Sequence, residues 1–491
     1  SVFIFLLFAV SIVGRGQATQ IKQLSLEEVI SIAQQNSVAA LMAKHRFTSS
    51  NWAFRSYKAS YLPSVSMNAD FVDFNRSIVK NNVLVNGEWV EQYAPTNRLN
   101  SSMGLQLMQN VPLTGGRIFV NSEIGRLDLL NDDPATLMST PISVGFRQPL
   151  FSVNEYKWER QIEPLKYEEA KKQYLVNMED VNLTAVSLFY DMALTQMNVH
   201  TSQLNVANND TLYQIANGRF ELGMIDQGDL MQMELNYLNS TDNLTKNKLD
   251  LEVKKARLRT FLGYNENIDF ELVTSKDVPS FGVDVDKAME FARKNNPEML
   301  SMERQKLQAD QSIAQAKADA RFNADLVASY GLTQRADDFA GVYKDPQQSQ
   351  RVTVGVSVPI LDWGMRKGKL KMAESSRDVV ELSVQQQMID FDQSVYLDVM
   401  QFNLQADQLA LAAKKDTISQ TRYDITKQKF LIGKVDVLKL NDALQSKDVA
   451  IVNYFQALRT YWSYYYNVRK TTLFDFERNQ PLLQDYDELL N

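Results

Sequence analysis

The sequence predicts an α+β chain in which long helical coiled-coil hairpins continue into the strands of a transmembrane β-barrel shared between subunits. Three observations predict it. An alternating segment, VTVGVSVPIL, opens a helical pattern that reaches Gly433 without an internal proline after Pro359. The anchors of that strand-to-helix unit also occur earlier in the chain at one constant spacing. Finally, the first residues read as an export signal, and no later stretch is apolar enough for a membrane helix.

Within the unit, Val352, Val354, Val356 and Val358 share one face, and Thr353, Gly355 and Ser357 the other. That is the period of a half-buried strand. Beyond Pro359, Met388, Val395, Phe402 and Leu409 recur every seven residues. Gln387, Ser394, Gln401, Gln408 and Lys415 form a polar stripe beside them, so a coiled-coil seam with a wet neighbouring face is expected. Gly145, Pro149, Gly223 and Asp226 precede Gly355, Pro359, Gly433 and Asp436 by 210 residues each. The seam carries over as Met178, Ala185, Met192 and Val199, and the stripe as Asn177, Thr184, Asp191, Asn198 and Asn205. No gap is needed, so the chain reads as an internal two-fold repeat.

Composition narrows the function. Net charge is −7 with pI near 5.2, which offers nucleic acid no general attraction, so no nucleic-acid partner is expected. There is no cysteine, hence no disulfide, thiolate ligand, cysteine nucleophile or lipid-modified cysteine is expected. His45 and His200, the only histidines, read as helix-surface residues. Residues 2–13, VFIFLLFAVSIV, are too short to span a bilayer and lead into Gly14, Gly16 and Ala18. An export signal over 1–18 is therefore expected.

Taken in order, residues 19–275 form the first repeat and 276–470 the second. Each begins with a helical stretch broken by polar residues, Asn36-Ser37 in one and Asn295-Asn296 before Pro297 in the other. Strands follow over 64–150 and 323–361. The first half carries extra sequence in which 99–111 and 117–126 alternate around PLTGG, a hairpin signal, while 79–96 reads as an exposed loop. Long helical hairpins are expected over 153–263 and 363–470, with a kink or late start at Pro164. A helix over 153–218 would extend roughly 100 Å, and the two shorter helices of each half, stacked end to end, nearly match it. Residues 471–491 read as an acidic tail without clear structure.

One chain supplies four strands, or six with the extra hairpin, whereas small membrane barrels use about eight. Open edges do not survive in lipid, so a closed wall requires several copies. No nucleophile–base pair, phosphate loop or metal-ligand cluster stands out, so neither enzyme activity nor a cofactor is expected.

At this point the chain resembles the TolC family of outer-membrane efflux and secretion channels, from Leu24 to about Lys470. The resemblance rests on the duplication, on the junctions QPLF (148–151) and VPIL (358–361), on the tips RFELGMID (219–226) and KFLIGKVD (429–436), and on NNPEML (295–300). It implies a homotrimer in the outer membrane of a Gram-negative cell, in contact with its lipid, with the helical part in the periplasm. It further implies docking onto a periplasmic adaptor and an inner-membrane RND or ABC transporter, in a tripartite efflux or type I secretion system. Such a channel is a passive exit duct for small molecules or polypeptides; the alternative is a periplasm-spanning trimeric scaffold that does not conduct. Matched from the tip glycines, Asp229 and Asp442 take the place of the family's gate acids. Lys439 stands where a second acid is typical, Phe430 where a tyrosine is, and Val435 where an arginine is. Asp229, Asp436 and Asp442 belong either to this constriction or to helix starts and solvated surface near the tip glycines. Arg219, Phe220, Gly223, Asp226, Lys429 and Gly433 would form the adaptor-docking tips. Phe151, Trp158 and Trp363, at strand ends, are candidates for a membrane-interface girdle.

Overall fold

A computed structural model describes residues 22–85, 88–130, 135–264, 269–275, 278–279 and 281–490. The export signal expected over 1–18 lies outside the described residues. The chain begins with β1 (Lys22–Leu24), α1 (Leu26–Asn36) and α2 (Val38–Ala59), then β2 (Ser64–Val85), β3 (Glu88–Val111), β4 (Gly116–Leu129) and β5 (Thr136–Leu150). A helical hairpin follows, α3 (Glu155–Glu221) and α4 (Gln227–Phe261), and then β6 (Phe270–Leu272). The second half runs through α5 (Val285–Asn295), α6 (Pro297–Asp319), β7 (Asn323–Ala336), β8 (Gln347–Ser357), α7 (Met365–Leu431) and α8 (Val437–Thr472). It ends in β9 (Phe474–Asp475), β10 (Gln480–Pro481) and α9 (Tyr486–Leu490). The chain divides into two compact units: one made of 47–171 and 297–390, the other of the residues up to 46, 172–296 and those from 391.

The unit of 47–171 and 297–390 contains one antiparallel sheet in the order β2-β3-β4-β5-β7-β8. Its register places side chains of one character in rows across the strands. Val65, Leu107, Val120, Val144 and Tyr330 oppose one another in turn, an apolar row. One residue along, Ser66, Gln106, Asn121, Ser143, Gly331 and Ser349 make a polar row on the opposite face. The sequence treats Val352, Val354 and Val356 as half-buried, but they are 74, 61 and 60% exposed, because β8 is an edge strand whose apolar face is uncovered in the single chain. Residues 79–96 are not a loop: Val79 pairs with Ala94 and Lys80 with Tyr93, so β2 and β3 extend as one hairpin. Mixed polar residues such as Lys80 and Asn81 hide the period-two signal there. The hairpin of 99–126 lies inside the same sheet, bonded to β2 on one side and β5 on the other.

Helices in this unit pack through aromatic and charged pairs. Phe54 stacks on Tyr167 at 4.5 Å between ring centroids, and Arg304 holds Glu169 through two hydrogen bonds of 2.7 and 3.0 Å. Pro164 lies inside α3 and does not delay its start at Glu155.

In the other unit, α1 opens with a capping box: Ser25 accepts from the Glu28 amide and donates its own amide to the Glu28 carboxylate. The break falls at Ser37, as expected, and β1 pairs in parallel with β6. The seams are buried: Ala185 and Met192 on α3 are 0% exposed, Val395 and Phe402 on α7 are 1%. The polar stripe is not uniformly wet, since Asn205 is buried. On α7 a second stripe, Leu397, Leu404, Leu411, Ile418 and Ile425, recurs every seven residues and is exposed throughout. Two residues from the seam is about 200° around the helix, so α7 has apolar faces on opposite sides, only one of them covered within the chain.

The tail over 471–491 is more ordered than its composition suggests. Leu473 turns left-handed at the end of α8, Phe474 stacks on Phe291 at 4.2 Å, and Asp475 is buried against Arg469 at 3.1 Å. Arg469 also holds the buried Glu179, so α8, α3 and the tail are pinned by one guanidinium. Among the described residues no helix is long and apolar enough to cross a membrane.

Gly145 gives the sheet its most direct test. It faces Phe119 across the β4–β5 ladder, and a Cβ there would overlap the Phe119 ring. Gly145→Ala is expected to destabilise the sheet by about 1–3 kcal/mol. Unfolding followed through the strand signal should show part of that loss recovered when Phe119→Leu is added. Equal destabilisation with and without the second change would refute the ring contact as its cause.

Candidate functional site

The two helical hairpins turn in the same way, and the turn is legible residue by residue. The helix before each tip closes with a glycine in the left-handed region, Gly223 at φ +68° and Gly433 at φ +74°. The Gly223 amide donates to the Phe220 carbonyl and the Met224 amide to the Arg219 carbonyl, both at 2.9 Å. Gly433 and Lys434 repeat this with Phe430 and Lys429, also at 2.9 Å. This is the Schellman-type closure that satisfies a helix's last carbonyls, and it favours glycine at that φ.

The next helix starts on an aspartate. Asp226 accepts from the Asp229 amide and Asp436 from the Lys439 amide, each at 2.9 Å, with matching backbone angles. Asp436, left open between a constriction and a helix start, is therefore the N-cap of α8. Asp229 and Lys439 sit at equivalent first-turn positions with opposite charges. The Lys439 ammonium lies 3.9 Å from the Asp436 carboxylate.

The remaining site residues separate into core and surface. Phe430 is 6% exposed and packs among Leu212, Ala216, Met233, Tyr423, Val437, Leu440 and Ala443. Burial pushes the Tyr423 hydroxyl up to about 12, so it stays neutral. Arg219, at the end of α3, places its guanidinium 5.6 Å from the Phe430 ring centroid and donates to the Phe430 and Leu431 carbonyls at 3.4 and 2.7 Å. A cation thus caps the C-terminus of α7, where the helix dipole is negative. Phe220 and Lys429 are solvent-exposed. Asp442 is exposed and pairs with Arg422, which also reaches the Ser446 hydroxyl at 3.2 Å.

Sequence reasoning missed the polar cluster behind the tips. Lys447 is 5% exposed, with its ammonium 4.5 Å from the Tyr423 ring centroid, 3.3 Å from the Asn205 side-chain oxygen and 3.6 Å from the Asp448 carboxylate. Asn205 in turn donates to Asp448 at 3.2 Å, and Asn236 donates to Asn441 at 2.9 Å. These contacts face a cleft lined by Asn198, Asn209, Asn243 and Asn247 among others. The only signal in the sequence was the run of asparagines on the stripe. Among the described residues no cluster of metal-ligating side chains is found.

The chain shares its fold with the CmeC outer membrane channel of Campylobacter jejuni at TM-score 0.65 and 15% identity, covering 94% of this chain and 88% of that one. It matches VceC, an outer membrane protein of Vibrio cholerae, at 0.62 and 11%, covering 91 and 95%. The open state of the Neisseria gonorrhoeae MtrE outer membrane channel follows at 0.59 and 13%, covering 91 and 88%. No curated protein matches the chain in sequence. Residues 289–462 match the model of the outer membrane efflux protein family.

The Asp448 cluster responds to pH in a defined direction. Burial raises the Asp448 carboxyl above the ordinary aspartate range, against Lys447 and Asn205, which lower it. A raised folded-state value means that Asp448 supports the fold fully below its unfolded pKa and withdraws that support as pH climbs through the folded one. Asp448→Asn removes that dependence. Its melting temperature relative to the parent protein is expected to gain as pH rises above about 4, and an offset constant with pH would contradict the assignment.

Proposed function

We propose that this chain is the outer-membrane channel of a tripartite efflux or type I secretion system, working as a homotrimer and a passive exit duct for small molecules or polypeptides. The observation that carries it is the six-stranded sheet: one face is apolar and exposed, the other polar, and both edge strands, β2 and β8, are open within the chain. Three such sheets joined edge to edge would close a wall with apolar residues toward lipid and polar residues toward the lumen.

The helices support the same arrangement. α3 and α7 have 67 residues each, α4 and α8 have 35 and 36, and α1 and α5 have 11 each. Elements paired so closely in length make near-equivalent staves of a periplasmic sleeve, and they favour a duplicated chain with repeats at 19–275 and 276–470. The uncovered α7 stripe is the surface on which a neighbouring subunit would pack. The tips around Gly223 and Gly433, with Arg219, Phe220, Asp226 and Lys429, would receive a periplasmic adaptor, and through it an RND or ABC transporter of the inner membrane. Asp442, repeated by the three-fold axis, would line the constriction together with Asp229.

Two measurements test this reading. Leu411→Glu combined with Ile418→Glu places charge on the α7 stripe and is expected to leave the protein folded but lower the fraction of trimer seen by cross-linking in detergent. An unchanged trimer fraction removes α7 from the interface. In planar bilayers the parent protein is expected to conduct, with cation preference falling several-fold in Asp442→Ala, since three like charges attract cations to a narrow opening. A protein that inserts yet never conducts, even as Asp442→Ala, is a scaffold rather than a duct.

A further inference from the structure

The junction where β8 gives way to α7 is built against the preferences of its own backbone. Trp363 adopts a left-handed conformation at φ +55°, and Gly364 continues it at +86°. A bulky aromatic residue in that region is strained, and Trp363 gains nothing for it inside the chain, being 89% exposed. Ile360 and Leu361 just before it are 95 and 70% exposed. At the β5–α3 junction Phe151, itself at φ +69°, packs on Phe322 at 4.7 Å, with Phe151 more than half exposed.

Charge changes abruptly within the next eight residues. Arg366, Lys367, Lys369 and Lys371 occupy the start of α7, and its first turn holds no acidic residue. Cations at a helix start are opposed by the helix dipole, so the helix does not call for them. Two are matched within the chain: Arg366 lies 3.6 Å from Asp362, and Lys371 lies 2.7 Å from Glu374. Lys367 and Lys369 are exposed and make no hydrogen bond or ion pair to the described residues. In a chain of net charge −7, the four cations outnumber Asp362 and Glu374 beside an exposed apolar strip, although Glu155 and Asp319 line a groove with Lys369. The order along the backbone is then the apolar face of β8, two aliphatic side chains, one tryptophan and a basic run. That is the order in which a bilayer presents hydrocarbon, interface and headgroups.

We propose that this junction is a lipid-binding collar, in which Ile360, Leu361 and Trp363 enter the acyl–headgroup boundary and Lys367 and Lys369 hold the phosphates of anionic phospholipids in the periplasmic leaflet. The proposal rests on the sheet being the membrane-embedded part of the channel. It explains why a strained, exposed tryptophan is kept there: the lipid interface supplies the partner that the chain does not. It also gives the channel a fixed depth in the membrane, since the collar stops at the leaflet surface.

The test uses the full-length channel reconstituted in vesicles with equal amounts of phosphatidylglycerol and phosphatidylethanolamine, then extracted for native mass spectrometry of the retained lipids. The parent protein is expected to retain phosphatidylglycerol preferentially. That preference should fall roughly fivefold for each of Lys367→Gln and Lys369→Gln at low salt. Lys246→Gln, on a lysine already paired with Asp242, serves as the control and should change nothing. Trp363→Ala should reduce tryptophan quenching by lipids brominated near the headgroup. If the double lysine variant keeps the parent's preference, or the parent shows none while inserting normally, the collar is refuted. A parent protein that enters no bilayer of either lipid refutes the membrane-embedded sheet itself, and the collar with it.

Discussion

Unsatisfied backbone groups at the two edges of the sheet are the constraint from which the rest follows. A strand edge presents a row of amides and carbonyls, and each costs several kcal/mol when removed from water without a partner. β2 and β8 both end the sheet in this state, and the apolar row from Val65 to Tyr330 leaves one of its two faces without polar groups to turn toward water. An exposed apolar face alone would suit a soluble protein awaiting a cover. Combined with two open edges it calls for more strands of the same kind, which in the proposed homotrimer another copy of the chain would supply. The uncovered stripe on α7 makes the same demand with helix geometry: a seam buried on one side and an apolar face left over on the other.

The tips show a second level of economy. Glycine closes the preceding helix and aspartate opens the following one, at both hairpins and with nearly the same angles. Because turn and cap use short-range hydrogen bonds alone, the tip can keep its form while its surface charge changes. Arg219 adds a long-range tie to this region, from the end of α3 to the last carbonyls of α7. It occupies the position of a C-terminal cap, so it joins two helices by satisfying groups that would otherwise go to water.

How much of this could be read in advance depends on the range of the interaction. Helix breaks at Ser37 and Asn296, the tip turns, and the buried seam at Val395 and Phe402 follow from local chemistry and a seven-residue period, and they were legible. The strands over 79–96 were not, because Lys80 and Asn81 interrupt alternation and pairing with Tyr93 and Gln92 is fixed by the hairpin rather than by burial. The tail was misjudged for the opposite reason. Its acidic composition conceals Asp475, whose charge is matched by an arginine on a helix that ends just before it. Asp436 read as a gate residue or a helix start, and the hydrogen bond from the Lys439 amide shows that it caps α8. Lys447 gave no signal, since a lysine becomes buried only when a distant asparagine and an aromatic ring are brought to it.

The two tips finally differ where it matters for charge. Asp229 and Lys439 hold the same position in the same cap, yet one adds a negative charge at a helix start, where the dipole favours it, and the other a positive charge, where it does not. Lys439 recovers part of that cost through Asp436, which is already engaged as the cap. In a three-fold rim built from these hairpins, acid and base would alternate at this level and their fields would largely cancel. A continuous acidic ring would then have to come from the next exposed carboxylate along α8, which is Asp442. Asp442 is itself paired with Arg422, so the field of the proposed constriction would depend on whether that pair opens. Arg422 lies on α7 and Asp442 on α8, so in the proposed channel a movement that slides one helix of the hairpin past the other would change the charge presented to the lumen.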